Sequence, residues 1–273
     1  MKKIGIALGA GGARGLAHII ILEVFEELGI KPHIISGSSI GAIVGAAYAS
    51  GMTTKEMKSS VEELILSKDF KLMEFYKKYD VFKIIDMLGV SISTSGFFKG
   101  DRFITYFKEK VKTYKFTDLE IPIKIVATEY WNKKEHHFTS GNLIDAVRAS
   151  YALPALFTPM KIKDALYYDG GMVNPLPYDI IQKECDYIIA VDVSSKKGIS
   201  SKDVPNALDS LFAAFQIMQN SILKEKLKSS KPNIMLEIDI KDVRMFEFNK
   251  VEAIWKEAKK YKKILKNELR KIM

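Results

Sequence analysis

With 273 residues, 47% of them hydrophobic and 27% charged, the chain can bury a sizeable core and is too apolar for disorder, so it reads as one α/β domain over residues 1–273. Its one cysteine, Cys185, excludes an intrachain disulfide framework and a cysteine-based metal cluster, and points to a reducing, cytoplasmic setting. No apolar run approaches the roughly 20 residues that span a bilayer, and of the net charge of +9 a large part sits in residues 250–273, with nine Lys/Arg against three Glu.

Lys3 to Leu8 predicts a buried first strand, with Ile4, Ile6 and Leu8 on one face and Gly5 and Ala7 on the other. The loop Gly9-Ala10-Gly11-Gly12-Ala13-Arg14-Gly15 follows. A helix then runs to Leu28, where Gly29 and Pro32 stop it. Residues 34–36 predict a short buried strand broken by Gly37, and the small residues from Gly41 to Ala49 predict a closely packed helix. The order strand, helix, strand, helix implies a parallel sheet. Residues 52–100 read as mainly helical and unusually apolar, either as core helices or as a cap whose apolar face lines an acyl-chain pocket. Residues 101–112 predict a further helix.

Beyond it, strands are expected over Ile121–Tyr130 and Glu135–Thr139, and a helix capped by Asn142 over Leu143–Tyr151. A hairpin from Met160 to Tyr168, turning at Lys163-Asp164, delivers Asp169-Gly170-Gly171 at a turn. A buried strand over Asp186–Val193, a polar loop over 194–206, a helix over Ala207–Lys228 and a strand over Asn233–Asp239 lead to the basic last helix. There Val251, Ile254, Trp255, Ala258, Leu265, Leu269 and Ile272 form an apolar stripe. It either packs on the core or lies on anionic lipid as a peripheral membrane contact, with lysines on the other side.

Three stretches carry chemistry. Gly37-Ser38-Ser39-Ile40-Gly41 has the G-x-S-x-G pattern of a nucleophile elbow, where a serine on a strained strand-to-helix turn needs flanking residues without Cβ atoms. A structural turn with a serine N-cap fits the same residues. The Gly9–Gly15 loop invites a dinucleotide reading. However, Arg14 stands where that fingerprint has glycine or alanine, and the second strand ends in Ser36-Gly37 rather than in an acid. Neighbouring parallel strands bring their carboxyl ends to one edge, so the loop would face Ser39 and could offer its amides to an oxyanion. For a base, the chain has only His18, His33, His136 and His137, none of which follows an acid in the Ser, Asp/Glu, His order. Attention therefore shifts to a carboxylate, and Asp169, with Gly170 and Gly171 behind it, is the best placed. His136 and His137 would point to opposite faces of a strand, a poor metal pair. Neither a metal nor an organic cofactor is expected, and no nucleic acid.

In chain order, Gly11-Gly12-Ala13-Arg14-Gly15, Gly37-Ser38-Ser39-Ile40-Gly41 and Asp169-Gly170-Gly171 resemble the three signature blocks of the patatin-like phospholipases. Ala149-Ser150-Tyr151-Ala152-Leu153-Pro154 and Asn174-Pro175 resemble further stretches of the family's bacterial branch. The similarity covers about residues 3–193 and departs at Ala10, where the family often has glycine. It implies a three-layer α/β/α sandwich with a mainly parallel central sheet, and a Ser-Asp dyad that cleaves lipid acyl esters without metal. The resemblance carries over Ser39 as nucleophile, Asp169 as base and the Gly11, Gly12 and Ala13 amides as oxyanion hole. The Ile40 N–H, next to the nucleophile, joins that hole, and Arg14 anchors the glycine loop. The expected function is a phospholipase A or lysophospholipase-like hydrolase, cytoplasmic or peripheral to the inner face of the membrane. A nucleotide-binding or non-catalytic interaction protein on the same fold, and an esterase or thioesterase on small acyl substrates, are the alternatives; no protein partner is indicated.

Overall fold

The computed structural model describes residues 2–67, 101–154, 156–194 and 207–273. Five parallel strands form most of one sheet. They are β1 (Ile4–Leu8), β2 (Ile34–Ser38), β3 (Ile123–Glu129), β7 (Tyr187–Asp192) and β8 (Ile234–Glu237), in the spatial order β3-β2-β1-β7-β8. Antiparallel β4 (Lys134–Phe138), β5 (Met160–Ile162) and β6 (Ala165–Asp169) complete it beside β3. The predicted alternation of β1 is what the sheet uses. Ile4, Ile6 and Leu8 enter the core cluster with α1 (Ala17–Glu27) and α2 (Ile40–Ala49), while Ala7 faces Tyr178, Ile181 and Leu223 on the other side. Apolar layers on both faces of a largely parallel sheet give the three-layer architecture.

One departure from the sequence reading concerns Gly37. It does not break β2, which continues through it to Ser38. A Cβ on Gly37 would lie 2.6 Å from the Gly41 carbonyl oxygen, and one on Gly41 would lie 2.0 Å from that of Leu8. These glycines therefore let α2 lie directly on the strands, rather than ending one of them.

The register of β3 decides where the chain's chemistry meets. β4 pairs with Ile125 through Glu129 along one edge, so β2 and β6 must share the other. β2 occupies it up to the pair Ser38–Val126, running parallel. β6 comes the opposite way, from Tyr167 opposite Glu129 down to Asp169 opposite Ala127. The two strands thus end at successive residues of β3, and their ends abut.

After α3 (Thr54–Leu66), whose Thr53 and Glu56 form a capping box, the chain is next described at α4 (Asp101–Lys110). Most of the predicted helical cap over 52–100, and nearly all of the polar loop over 194–206, lies outside the described residues. α5 (Leu143–Ser150) starts at Asn142, whose side chain accepts the Ile144 and Asp145 amides. The last two helices are α6 (Ala207–Ser229) and α7 (Val251–Ile272).

The apolar stripe of α7 packs on the core and is not available to a lipid surface. Val251, Ile254, Trp255, Ala258, Leu265 and Leu269 are buried against the body that includes α1, and the Trp255 indole N–H donates to the Leu16 carbonyl at 3.1 Å. Some of the lysines turn inward too: Lys262 pairs with Glu23 at 2.5 Å and with Glu27 at 2.6 Å, and Lys266 pairs with Glu27 at 2.6 Å. Each large apolar side chain buried contributes about 1.5–3 kcal/mol, against about 0.2–1 kcal/mol for a surface ion pair. The stripe therefore dominates. Trp255→Ala should cost about 3 kcal/mol or more, read as a lower urea midpoint at unchanged slope, while Lys262→Ala should cost under about 1 kcal/mol. The reverse ranking would show that charge, not packing, holds the helix.

Candidate active site

The site begins at the abutting ends of β2 and β6. Ser39 follows β2 with φ 55° and ψ −122°, a conformation sparsely populated by residues other than glycine. It is the N-cap of α2, so its side chain stands over the positive end of that helix. Its amide donates to Ser150 Oγ at 3.0 Å, and its hydroxyl donates to Asp169 Oδ2 at 2.7 Å. Ser39 keeps partial exposure, while Asp169 beneath it is only 2% exposed.

Asp169 is fixed on several sides. Its amide donates to the Ala152 carbonyl at 3.0 Å, its carbonyl accepts the Thr128 hydroxyl at 2.7 Å, and its Oδ1 accepts the Gly171 amide at 2.7 Å. Loss of hydration pushes its carboxyl up to about 6, against the opposing effect of the hydrogen bonds from Ser39 and Gly171. Such a carboxylate is a stronger base than a solvated one and is still ionised near neutrality.

The glycine loop stands beside them. Gly9 N–H donates to the Val191 carbonyl, Ala10 N–H to that of Pro175, and Ala13 N–H to that of Met245 at 2.7 Å. The Ala13 amide is therefore already occupied, and the expectation that it serves an oxyanion gives way. Among the described residues, no acceptor takes the N–H groups of Gly11, Gly12 or Ile40. Gly12 and Ile40 each open a helical turn, where the first amides have no intrahelical partner. Gly12 has φ +59°, and a Cβ there would stand 2.2 Å from the Met245 carbonyl oxygen. Arg14, buried, donates through Nε to the Val193 carbonyl and through Nη1 to that of Val243, both at 3.2 Å. Burial lowers its pKa to about 10, so it stays charged while bracing the loop from behind.

None of the four histidines reaches Ser39. His18 is fully buried, and burial pulls its pKa down to about 4. Its Nε2 lies 2.8 Å from the Gly9 carbonyl, which can only accept, so it is neutral with the proton on Nε2 and supports the loop. His137 bonds to Glu135, His136 packs on Phe138 and Tyr167, and His33 is exposed.

Two contributors escape a reading of spacing. Ser150 lies 111 residues from the amide it accepts, and Met245 lies far beyond the signature blocks. Only the similarity of the Ala149–Pro154 stretch drew notice to Ser150, and nothing in sequence marks Met245.

The family profile of the patatin-like phospholipases matches residues 6–181. The chain belongs to the patatin-like phospholipase family. It is 31% identical over 206 residues to an uncharacterised NTE family protein of Mycobacterium bovis, covering 75% of this chain and 53% of that protein. It is 32% identical over 198 residues to the neuropathy target esterase sws of Drosophila melanogaster, covering 71% of this chain and 13% of the fly protein. The chain thus spans about half the length of the mycobacterial relative and far less of the fly one. The crystal structure of VipD from Legionella pneumophila matches with a TM-score of 0.53 at 14% identity, over 98% of this chain and 67% of VipD, a likeness of fold. Among the described residues, no helix is long and apolar enough to cross a membrane.

Two substitutions test the patatin-like site. Gly12→Val should lower turnover at least about a hundredfold, the effect of displacing oxyanion donors, with the fold kept by circular dichroism. Ser150→Ala leaves the Ser39 amide without its acceptor, and should lower kcat more than it raises KM. Near-normal turnover in folded Gly12→Val would remove the glycine loop from the chemistry.

Proposed function

We propose that the protein is a serine acyl hydrolase of lipid esters, working through a dyad of Ser39 and Asp169. The observation that carries the reading is the 2.7 Å hydrogen bond from the Ser39 hydroxyl to a buried carboxylate, made on a turn strained at the serine. Ser39 Oγ attacks the ester carbonyl as its proton passes to Asp169 Oδ2. The N–H groups of Gly11, Gly12 and Ile40 receive the developing oxyanion, each such donor being worth about 2.7–4 kcal/mol of barrier. Protonated Asp169 then returns the proton to the leaving alcohol, and an acyl-Ser39 ester remains. Water attacks that ester as Asp169 takes one of its protons, and Asp169 passes that proton to the departing Ser39 Oγ, so that the fatty acid is released and the dyad is restored.

Family membership favours a phospholipid or lysophospholipid as the ester. Among the relatives, a Kluyveromyces lactis protein is named as a lysophospholipase. Nucleotide binding at the glycine loop is disfavoured, since three of its amides are spent on backbone carbonyls and β2 ends in serine.

Ser39→Ala and Asp169→Asn should each bring hydrolysis of a lysophospholipid to near background, and the double variant should be scarcely worse, because nucleophile and base act as one unit. His18→Gln, His33→Gln and the His136→Gln, His137→Gln pair should keep substantial activity. Loss of chemistry in a folded histidine variant, with Asp169→Asn active, would assign a different base. The catalytic form is ionised Asp169, so kcat/KM should fall about tenfold per pH unit below its value of about 6 and level off above it. The same shift has a stability sign. The folded pKa lies above the unfolded one, so the group stabilises the fold once protonated and loses that contribution as pH rises through about 6. Above that pH, Asp169→Asn should be at least as stable as the parent in urea denaturation.

A further inference from the structure

Gly170 and Gly171 follow Asp169 directly, and glycine has the widest backbone freedom of any residue. The carboxylate nevertheless depends on one of them, since its Oδ1 accepts the Gly171 amide at 2.7 Å. What fixes Gly171 comes from α6. Gln219 is only 3% exposed there, and its Nε2 donates to the Gly171 carbonyl at 3.2 Å. A carbonyl can only accept, so the side-chain amide must present its nitrogen at this point. Contact agrees with the hydrogen bond. A Cβ on Gly171 would stand 2.2 Å from Gln219 Nε2, 3.0 Å from Asp169 Oδ1 and 3.2 Å from the Ala10 Cβ. Gln219 and the carboxylate are therefore neighbours across that glycine, with the glycine loop on the third side.

Gln219, Leu223 and Lys226 lie at helical spacing along the inner face of α6. Leu223 is buried with Leu176 and Tyr178. The Lys226 ammonium donates to the Leu176 carbonyl at 2.7 Å, to Asp179 Oδ1 at 2.6 Å and to Asn174 Oδ1. The Asn174 backbone amide in turn donates to the Gly170 carbonyl at 2.9 Å. Other contacts thus set α6 against residues 170–179, and Gln219 adds a bond aimed at the base.

From this geometry we infer that Gln219 is a positioning residue for Asp169: it fixes Gly171, whose amide turns the carboxylate so that Oδ2 meets Ser39. The inference rests on the Ser39–Asp169 reading above and deepens it. It extends the support of the dyad to a side chain beyond residues 6–181, the stretch that the family profile matches.

Few groups compete for that carboxyl. Among the described residues, burial, the Ser39 hydroxyl and the Gly171 amide act on it. Charged side chains on the surrounding elements are engaged elsewhere. Glu129 of β3 accepts from Asn132, Arg148 of α5 donates to Thr158, Arg14 donates to Val193 and Val243, and Lys226 pairs with Asp179. His136 of β4 packs on Phe138 and Tyr167, Asp145 sits at the far end of α5 from Ser150, and Lys161 of β5 is exposed.

The test uses the full chain with Gln219→Met, which keeps the length but removes the donor, and Gln219→Glu, which places a second carboxyl beside the base. Met218→Ser, on the exposed side of α6, is the control, and circular dichroism checks each fold. With a soluble short-chain ester, Gln219→Met should lower kcat about tenfold, the effect of one hydrogen bond, and leave KM nearly unchanged. The Gly171 bond holds the carboxyl down, so loosening it should move the acid limb of the kcat/KM profile above about 6. Gln219→Glu should move it further, because like charges disfavour ionisation. The control should match the parent. A carbon-13 NMR titration, with the Asp169 signal assigned by its loss in Asp169→Asn, should show the same order without any turnover. Should Gln219→Met not fold, Gln219→Asn, too short to reach Gly171, takes its place. Folded variants that keep the parental limb and titration, and lose only urea resistance, overturn the inference, since Gln219 would then merely pack. A downward shift in Gln219→Glu overturns it too. A parent that cleaves no ester overturns the hydrolase reading, while the ordered NMR shifts would still uphold Gln219 as the residue that sets Asp169.

Discussion

Everything at the candidate site depends on two strands sharing one edge of β3. β2 runs along that edge in one direction and stops at Val126, while β6 arrives from the other direction and stops at Ala127. A hydroxyl at the end of one strand and a carboxyl at the end of the other are thereby set within hydrogen-bonding distance, though 130 residues separate them. Backbone pairing of this kind tolerates no gradual slippage, because a shift of one residue turns every side chain to the opposite face. The precision of that hydrogen bond is thus inherited from the sheet ladder, and the loops only finish it.

The arrangement is costly in isolation. A non-glycine residue in a sparsely populated conformation costs about 1–3 kcal/mol, and a buried carboxylate loses its hydration. Both are held by their surroundings. Ser150 and Asp169 take the two donors of Ser39, while the Gly171 amide and the Ser39 hydroxyl share the two oxygens of Asp169. Local instability concentrated at the serine and the carboxylate, and offset by the packed sheet beneath, is what the proposed acyl transfer by a weak base would require. A solvated aspartate would be too weakly basic, and a relaxed serine would turn away from it.

Electrostatics plays two different parts across the molecule. At the site, few charges act, but they act in a dry place. Over α7 many charges act, but Lys262 and Lys266 only trim a contact that Trp255 and its apolar neighbours already make. The high basic content of the last helix is thus a poor guide to its function, because each exposed charge carries little free energy and the buried stripe carries much.

The sequence by itself determined the local elements and the chemistry they could carry. The alternation of β1, the Asn142 cap, the Lys163 turn and the glycines around Ser39 each follow from short-range backbone rules. The ordered blocks around Ser39 and Asp169 named the residues worth watching. The tertiary structure alone decided what each group meets. It gave Gly37 to close helix packing rather than to a strand break, spent the Ala13 amide on Met245, turned the α7 stripe inward, and brought Ser150 under Ser39. The physical reason is one of range. A dihedral preference or a cap is settled within a few residues, whereas an amide's partner or an apolar stripe's cover comes from whichever distant segment the sheet order places beside it.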